Sequence, residues 1–489
     1  MCWAPLKQAL SNNCTGEMMA HYDLLVIGSG PAGQKAAIQA AKLGKKVGII
    51  ERKEVLGGVC INTGTIPSKA LREAVMHLTG FRQRGLYGAT YRVKPDITME
   101  DLVFRANHVV TREIEVVRHQ MARNRVDVIY GSAGFVDTHR LAITQADKTI
   151  EHSADFMVIA VGTGPVRPDA IPFDGDTIID TDELLTLKQL PASLTIVGGG
   201  VIGCEYASIL ATLGIPVILV ERRPRLLEFV DAEIIEALQY LMRSTGVTLR
   251  LNEEVVAIEK TPNGRVAVHL KSAKQILSPT LVYAVGRVGA IQRLNLEAAG
   301  LQSNERGLLR VNEQFQTAVP HIYAVGDVIG FPALASTSME QGRLAACHAF
   351  GLPCQTRSDL LPYGIYSVPE ISMVGRTEDA LTQAGIAYEV GIARYREIAR
   401  GQLMGDENGM LKLLFHPQTR KLLGIHAIGE GATELIHIGQ AVMALGGLID
   451  YFAEAVFNYP TLAECYKVAA LAGLNRLPQL ILTGIRVVP

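Results

Sequence analysis

The segment YDLLVIGSGPAGQKAAIQAAKLGKKVGIIE (residues 22–51) carries the strongest structural signal in the chain. It predicts an apolar strand, a glycine turn, an alanine-rich helix and a second strand with an acidic end, which is the full context of a dinucleotide-binding βαβ unit. Gly28 suits the tight turn, Gly30 lets the backbone approach a pyrophosphate, and Gly33 lets the helix pack closely on the strand. Glu51, 23 residues after Gly28, is placed to accept a hydrogen bond from a ribose diol. We therefore expect a dinucleotide whose pyrophosphate meets the helix N-terminus.

The same pattern recurs in residues 193–221, which read SLTIVGGGVIGCEYASILATLGIPVILVE. Its first glycine, Gly198, lies 170 residues after the first glycine of the earlier unit, and Gly200 and Gly203 complete the motif. Glu221 again follows the first glycine by 23 residues. One nucleotide would need only one such unit, so two units predict two dinucleotides and electron transfer between them.

Length and composition exclude several classes of protein. A chain of 489 residues is too long for one core, so about three domains are expected. Its formal net charge of −1 favours neither nucleic acid nor an acidic solvating tail. The seven cysteines have no repeating spacing and the histidines form no metal-spaced cluster, so we assign no metal and expect a reducing, cytoplasmic location. Because no run of 18 apolar residues occurs, we expect no membrane-spanning helix.

The first twenty residues, MCWAPLKQALSNNCTGEMMA, precede the first predicted strand. The polar stretch SNNCTGE interrupts any apolar core of a signal peptide. We interpret the segment as a disordered extension, or as the product of a mis-set start codon before Met18 or Met19.

Further glycine turns follow apolar segments that predict buried strands, in FMVIAVGTGP (156–165), LVYAVGRVG (281–289) and HIYAVGD (321–327). From about residue 352 the glycine turns stop, and short strands alternate with helices, which predicts a C-terminal α+β domain.

The ordered motifs GSGPAG, GGVCxxxGTIPSK, GGGVIGCE, AVGR and YAVGD resemble those of the flavoprotein pyridine nucleotide–disulfide oxidoreductases, over residues 22–472. The resemblance implies that the first unit binds FAD, assisted by Asp327, and that the second binds NAD(P). It also implies a homodimer in which the C-terminal domain completes the partner's active site. The expected fold class is α/β, with two Rossmann-like dinucleotide-binding domains and a C-terminal α+β dimerisation domain. The predicted limits are an N-terminal extension at 1–20, an FAD-binding domain at 21–165 and 286–352, an NAD(P)-binding domain at 166–285 and a dimerisation domain at 353–489.

Two departures from the disulfide-reducing relatives locate a subfamily. Those relatives carry Cys-x-x-x-x-Cys, whereas here Cys60 is followed by Thr65. They also carry a histidine base near the C-terminus, whereas FNYPTLAE places Tyr459 there and keeps Glu464. A tyrosine with a pKa of about 10 is a poor base at neutral pH, and no dithiol relay forms without a second thiol. The combination closely resembles the soluble, Si-specific NAD(P)+ transhydrogenases. Hydride transfer from NADPH to NAD+ neither consumes nor releases a proton, so it needs neither missing group.

By this resemblance Lys69 lies beside the flavin and pairs with Glu205, and these two are the expected catalytic residues. The expected FAD-binding residues are Gly28, Gly30, Pro31, Ala32, Gly33, Glu51, Arg52, Gly57, Gly58, Val59, Cys60, Lys69, Ala133, Ala160, Gly162, Arg287, Gly326, Asp327, Leu334, Ala335 and Ser336. The expected NAD(P)-binding residues are Gly198, Gly200, Val201, Ile202, Gly203, Glu221, Arg222, Arg223 and Gly286.

Three alternatives stay open. Cys60 is either a packed, inert thiol or a lone redox thiol oxidised to a sulfenic acid. Glu221 favours the free diol of NAD, whereas Arg222, Arg223 and Arg225 suit a 2′-phosphate, which fits an enzyme that admits both nucleotides. The function itself has rivals: a disulfide reductase, a diaphorase or oxidase that reduces quinones or oxygen, and a non-catalytic flavin-binding sensor.

Overall fold

A computed structural model describes residues 19–146, 148–354 and 360–477. Most of the predicted N-terminal extension and the apolar C-terminal segment from residue 478 lie outside the described residues.

The first unit is built on a seven-stranded sheet around β1, the strand that precedes the first glycine turn. Strands β3, β2, β1 and β6 run parallel in that order, and β5 and β4 extend the sheet antiparallel. The elements are β1 (His21–Ile27), α1 (Pro31–Lys42), β2 (Val47–Glu51), α2 (Gly58–Asn62), α3 (Thr65–Leu78), α4 (Arg84–Tyr87), α5 (Met99–Arg123), β3 (Asp127–Tyr130), β4 (Ser132–Phe135), β5 (Arg140–Gln145), β6 (Lys148–Ile159) and β7 (Thr163–Pro165).

The second unit repeats this plan around the second glycine turn. Its five-stranded parallel sheet has the order β11-β10-β9-β15-β8, and a three-stranded antiparallel sheet, β12-β13-β14, flanks it. The elements are β8 (Ile178–Asp180), β9 (Leu194–Val197), α6 (Val201–Thr212), β10 (Val217–Glu221), α7 (Ala232–Ser244), β11 (Val247–Leu251), β12 (Val255–Lys260), β13 (Val266–Leu270), β14 (Gln275–Ser278), β15 (Thr280–Tyr283) and β16 (Arg287–Gly289).

The chain then returns to the first unit. Strand β16 pairs with β7, and β17 (Ile322–Ala324) lies parallel to the end of β6. Helix α8 (Ala335–Ala349) packs along α1, and at Gly342 a Cβ would lie only 2.0 Å from the Ala32 carbonyl oxygen. The absence of a side chain at Gly342 therefore lets the two helices approach closely.

The third unit is a five-stranded antiparallel sheet in the order β18-β19-β22-β21-β20, covered by helices. The elements are β18 (Tyr363–Ile365), β19 (Ile371–Gly375), α9 (Glu378–Gln383), β20 (Glu389–Arg394), α10 (Ala399–Met404), β21 (Met410–Phe415), β22 (Leu422–Ile428), α11 (Ala432–Ala444), α12 (Ile449–Glu454) and α13 (Glu464–Leu474). The predicted fold class is thus confirmed, and the predicted domain limits remain a proposal. In the described part of the chain, no helix is both long and apolar enough to cross a bilayer.

A buried cation joins the second and third units. The Lys412 side chain, on β21, is fully buried, and its ammonium lies 2.8 Å from Asp231 Oδ1 and 3.0 Å from Glu233 Oε2. It also contacts the Glu378 carboxylate. Asp231 is itself buried and caps α7 by accepting from the Glu233 N–H. The ammonium therefore neutralises the buried Asp231 carboxylate and the two partly exposed carboxylates beside it.

Replacing Lys412 by Met should destabilise the protein by about 3–5 kcal/mol, because the variant keeps the buried Asp231 carboxylate next to two further carboxylates without their cation. Thermal and urea unfolding would measure the loss. The loss should shrink as the pH is lowered through the carboxylate range, since protonation then removes the unpaired charges. The control is Lys421→Met at an exposed position of the same unit, expected to change stability by less than about 0.5 kcal/mol. Equal losses in both variants would contradict this account.

Candidate functional site

A cavity of about 900 Å³ lies where the three units meet, and both glycine turns open into it. Most of the predicted first-unit residues line it. These are Gly28, Gly30, Pro31, Ala32, Glu51, Arg52, Gly58, Val59, Cys60, Lys69, Ala133, Ala160, Gly162, Arg287, Gly326, Asp327, Leu334, Ala335 and Ser336. From the second unit Gly200, Val201, Ile202, Glu205 and Gly286 line the same cavity. The remaining predicted residues, Gly33, Gly57, Gly198, Gly203, Glu221, Arg222 and Arg223, lie outside the lining.

The first glycine turn has the shape that a pyrophosphate needs. Gly28 has a φ of +106°, and a Cβ there would lie 2.4 Å from the Ala160 carbonyl oxygen. A Cβ at Gly33 would lie 1.9 Å from the Gly28 carbonyl oxygen, so helix and turn pack backbone against backbone. At Gly30, by contrast, a Cβ would meet no protein atom within 4 Å, although the residue lines the cavity. The turn therefore leaves open space at the N-terminus of α1, where an anionic group fits.

Ser29, which our sequence reasoning passed over, connects this turn to the neighbouring loop. Its hydroxyl donates to Glu51 Oε2 at 2.6 Å and accepts from the Gly57 N–H at 3.0 Å. Glu51 is buried and accepts further bonds from the Ser29 and Lys53 N–H groups. The carboxylate predicted to bind a ribose is thus held rigidly at the cavity wall.

Cys60 lies at the cavity as a free, partly buried thiol, and Thr65 stands where a second thiol would be needed. Burial raises the pKa of the Cys60 thiol, and a hydrogen bond with Thr65 opposes this shift in part. A thiol with a raised pKa is protonated at neutral pH and is a weak nucleophile.

Lys69, on α3, forms an ion pair with Glu205 on α6, with Nζ and Oε2 2.6 Å apart. The other carboxylate oxygen accepts from the Tyr366 N–H at 2.8 Å. The ammonium also lies 5.0 Å from the centre of the Tyr366 ring. Because Glu205 is 4% exposed, the pair works in a poorly solvated setting. A cation fixed there stabilises negative charge that develops nearby.

Arg287 ties the strand pair β7/β16 to the loop around Cys60. Its guanidinium donates to the Thr163 hydroxyl and carbonyl oxygens and to Asp182 Oδ1, each at 3.0 Å. Asp182 Oδ2 in turn accepts from the Thr63 hydroxyl at 3.2 Å. Asp182 was also missed from the sequence, since it lies in no recognisable motif.

Asp327 follows β17 in the chain and accepts a long hydrogen bond from the Ser338 hydroxyl, at 3.4 Å. Burial raises the pKa of Asp327, and the positive charge of Arg287 opposes this shift. The carboxyl therefore has spare acceptor capacity toward the cavity that it lines.

At the second turn, Glu221 accepts from the Gly199 N–H at 2.7 Å. Arg223 binds both oxygens of the same carboxylate, Nε to Oε1 at 2.9 Å and Nη2 to Oε2 at 3.0 Å. Burial alone would raise the pKa of Glu221, but these hydrogen bonds outweigh it and the pKa is lowered. Arg225 pairs with Asp379 at 3.1 Å, whereas Arg222 is exposed. Of the three arginines, Arg222 is therefore the most exposed to solvent.

The third unit contributes cavity-lining residues that no sequence motif predicted. Tyr363, Tyr366, Thr433 and His437 face the cavity from β18, the residue after it and α11. Burial raises the pKa of Tyr363 to about 12, so it is a poor base at neutral pH.

The third unit also exposes large side chains with apolar surface. Val456 is 94% exposed, Leu445 87% and Tyr459 73%. In the described part of the chain, the Glu464 Oε2 atom is buried and has no hydrogen-bond partner. Such a surface suits association with another chain.

Comparisons with known proteins agree with this architecture. Residues 22–342 match the family model of the pyridine nucleotide-disulphide oxidoreductases, and residues 361–470 match the model of their dimerisation domain. A soluble pyridine nucleotide transhydrogenase of Mycobacterium tuberculosis (strain H37Ra) is 55% identical over 462 residues, which cover 94% of this chain and 98% of that relative. The protein of the same name from Colwellia psychrerythraea is 46% identical over 461 residues, covering 93% and 98%. Among solved structures, the HOCl-induced flavoprotein disulfide reductase RclA from Escherichia coli is 30% identical, with a TM-score of 0.82 and coverage of 92% and 99%.

Two alanine substitutions in the first turn should separate ligand binding from folding. Gly30→Ala should lower the amount of flavin that purifies with the protein, because its methyl group enters the open space while the protein packing stays intact. Gly33→Ala should destabilise even the flavin-free protein, by about 1–3 kcal/mol, because its methyl group overlaps the Gly28 carbonyl oxygen. The flavin-to-protein absorbance ratio and melting of the flavin-free protein give the two readouts.

The matched control is Gly164→Ala, where a Cβ meets no atom within 4 Å and the residue lies outside the cavity lining. It should change neither readout. Equal flavin loss in the Gly30 and Gly164 variants would show that the first turn does not hold the pyrophosphate.

Proposed function

Because the chain belongs to the pyridine nucleotide-disulphide oxidoreductase family, we propose that it is an NAD(P)+ transhydrogenase that transfers hydride between NADPH and NAD+ through bound FAD. The family is FAD-dependent and uses NAD(P)H, so FAD is the cofactor and NAD(P)(H) the substrate. The observation that carries the proposal is Thr65, which stands where a disulfide reductase needs its second thiol. The names of the relatives at 55% and 46% identity support it.

The residues at the cavity fit an FAD. The open space at Gly30 accepts the pyrophosphate, Glu51 suits the ribose, and Asp327 has acceptor capacity for the ribityl hydroxyls. A bound FAD would supply the redox chemistry that moves a hydride from NADPH to NAD+. The contribution proposed for the protein is electrostatic: the Lys69 ammonium, oriented by Glu205 and Tyr366, stabilises the negative charge of reduced flavin.

The site needs no thiol relay and no proton-transferring base in this reaction, since NADPH and NAD+ become NADP+ and NADH with no net proton change. Cys60 is proposed to be a packed wall residue, in keeping with its raised pKa. Tyr459 stands where the disulfide-reducing relatives carry a histidine base. These properties favour a transhydrogenase over a disulfide reductase, the activity named for the E. coli neighbour.

The proposed kinetic order is ping-pong. The proposed NAD(P) site is the glycine turn of the second unit, which opens on the cavity. Because NADP+ and NAD+ would share this site, NADP+ has to leave before NAD+ enters. Glu221 suits the diol of NAD, and the exposed Arg222 suits the 2′-phosphate of NADP.

Si-face specificity belongs to the proposal through the subfamily resemblance alone. A cytoplasmic location is proposed as well, since Cys60, Cys204, Cys347, Cys354 and Cys465 are free thiols.

The third unit matches a dimerisation domain, which makes the protein a homo-oligomer, and we propose a homodimer. The exposed side chains of Val456, Leu445 and Tyr459 would be covered there. The buried, unpaired Glu464 Oε2 would then find a donor in the partner chain.

An anaerobic half-reaction experiment tests the function. NADPH added in stoichiometric amount should bleach the flavin absorbance, and NAD+ added next should restore it while NADH appears. Steady-state plots at several NAD+ concentrations should be parallel, as a ping-pong order requires. If NAD+ fails to restore the flavin while a quinone or oxygen does, the protein is a diaphorase or oxidase. If NADPH does not bleach the flavin, it is a non-catalytic sensor.

Lys69→Met should slow flavin reduction by NADPH roughly 100-fold, the effect of removing one preorganised electrostatic group, while flavin stays bound. Lys69→Arg keeps the charge and should retain more activity. Stopped-flow absorbance measures the rate, and Lys188→Met, at an exposed position, is the control. A Lys69→Met rate within threefold of the parent would remove Lys69 from the catalytic residues.

A further inference from the structure

Two cysteines outside the cavity lie in direct contact. The Sγ atoms of Cys347 and Cys354 are 2.8 Å apart, although both thiols are free. Cys347 is in the last turn of α8, and Cys354 follows the helix by five residues. Neither lines the cavity of the proposed reaction. The proposed hydride transfer therefore leaves this pair without a role.

The end of the helix explains why the two sulfurs meet. The Leu352 N–H donates to the Cys347 carbonyl oxygen at 2.8 Å, and the Gly351 N–H donates to that of His348 at 3.1 Å. Gly351 has a φ of +69°, so residues 347–352 form a Schellman motif, which ends the helix and turns the chain back. Pro353 follows, as is common after such an end. The backbone, rather than a chance side-chain rotation, thus brings Cys354 over Cys347.

A cation adjoins the pair. The guanidinium of Arg343, one turn before Cys347, lies 3.8 Å from the Cys347 Sγ, and it also hydrogen-bonds the Cys354 sulfur. Glu340 holds the guanidinium at 2.6 and 2.9 Å. The guanidinium is thus held beside both sulfurs, and its charge opposes in part the effect of burial on the pKa of Cys347.

We propose that Cys347 and Cys354 form a reversible disulfide when the protein meets a hydroperoxide. With hydrogen peroxide, the Cys354 sulfur attacks one peroxide oxygen, so that an S–O bond forms and the O–O bond breaks, and the departing hydroxide takes the Cys354 thiol proton and leaves as water. The Cys347 sulfur then attacks the Cys354 sulfur, which forms the S–S bond, breaks the S–O bond and releases a second water with the Cys347 proton. Two thiols and one hydrogen peroxide thus yield one disulfide and two waters. Two small thiols from solution reverse the step and are themselves oxidised to a disulfide.

Exposure decides the order of the two thiols. Cys347 is 1% exposed, and burial, with the adjacent Cys354, raises its pKa to about 11 against the opposing charge of Arg343. Cys354 is more exposed and so reacts first. A sulfenic acid without a neighbouring thiol proceeds to irreversible acids, whereas Cys347 stops the oxidation at the disulfide.

The pair acts independently of the flavin. Ser336 lines the cavity at the start of α8, and Cys347 lies eleven residues further along, about 16 Å along the helix axis. A sulfur at that distance cannot exchange directly with the flavin. The disulfide would instead link Cys354, which follows α8, to Cys347 in the last turn of that helix. Because it closes a short loop, little gain in thermal stability is expected.

The test treats the flavin-loaded protein with hydrogen peroxide, removes the oxidant, unfolds the protein and counts thiols. A chain that is fully reduced before treatment has seven cysteine thiols, so the treated chain should show five. A peptide map without reduction should contain Cys347 linked to Cys354 within one chain, and dithiothreitol should restore all seven thiols. Retention of all thiols, or linkage of Cys354 to a different cysteine, would overturn the proposal.

Single variants assign the steps. Cys347→Ser should convert Cys354 to sulfinic or sulfonic acid, which dithiothreitol does not reduce. Cys354→Ser should lose no thiol pair at the same dose. The control is Cys60→Ser, which removes the cavity thiol and should still lose two thiols on treatment. If Cys354 in the Cys347→Ser variant stays fully reduced, the proposed order of attack is wrong.

Discussion

The ion pair between Lys69 and Glu205 is the point at which the three units of the chain become one site. Lys69 comes from the helix that follows the GTIPSK turn, Glu205 from the helix of the second glycine unit, and the Tyr366 N–H from the third unit. A carboxylate that is 4% exposed cannot lose either partner without a large desolvation cost. The pair therefore holds the cation in one position at the cavity, and with it the relative placement of the two glycine turns.

Each of the two glycine turns packs its backbone directly against the backbone of the helix that follows, without side chains between them. A Cβ added at Gly33 would lie 1.9 Å from the Gly28 carbonyl oxygen, and one added at Gly203 would lie 1.9 Å from that of Gly198. This close backbone packing leaves the two helix N-termini open toward one cavity. The chemistry that the site supports is then defined as much by what it lacks as by what it holds. Thr65 removes the dithiol relay and Tyr459 removes the base, while the groups that suit a flavin and a nicotinamide remain. Such a site favours hydride exchange between nucleotides.

Charge and sulfur outside the cavity have different tasks. Lys412 joins two units through carboxylates that would repel one another without it, so its contribution is to stability. Cys347 and Cys354 lie at the far end of the helix whose first turn lines the cavity, and the turn after that helix brings them together. Their proposed disulfide would respond to oxidants while the flavin site, about 16 Å away along the helix, continues its own reaction.

The sequence alone determined the two dinucleotide units, the family resemblance, the missing second thiol and most of the cavity lining. These follow from local rules, since a glycine turn, a strand and a helix N-terminus are specified by adjacent residues. Only the tertiary structure revealed Ser29 and Asp182 as connecting residues, the third-unit wall of Tyr363, Tyr366, Thr433 and His437, and the engagement of Arg223 and Arg225 by carboxylates. It alone revealed the contact of Cys347 with Cys354 as well. Some of these features depend on side chains that meet across units, such as Asp182 with Thr63 and Arg225 with Asp379. Others, such as the pair of Arg223 with Glu221, depend on the conformation of a loop, which motif spacing does not encode.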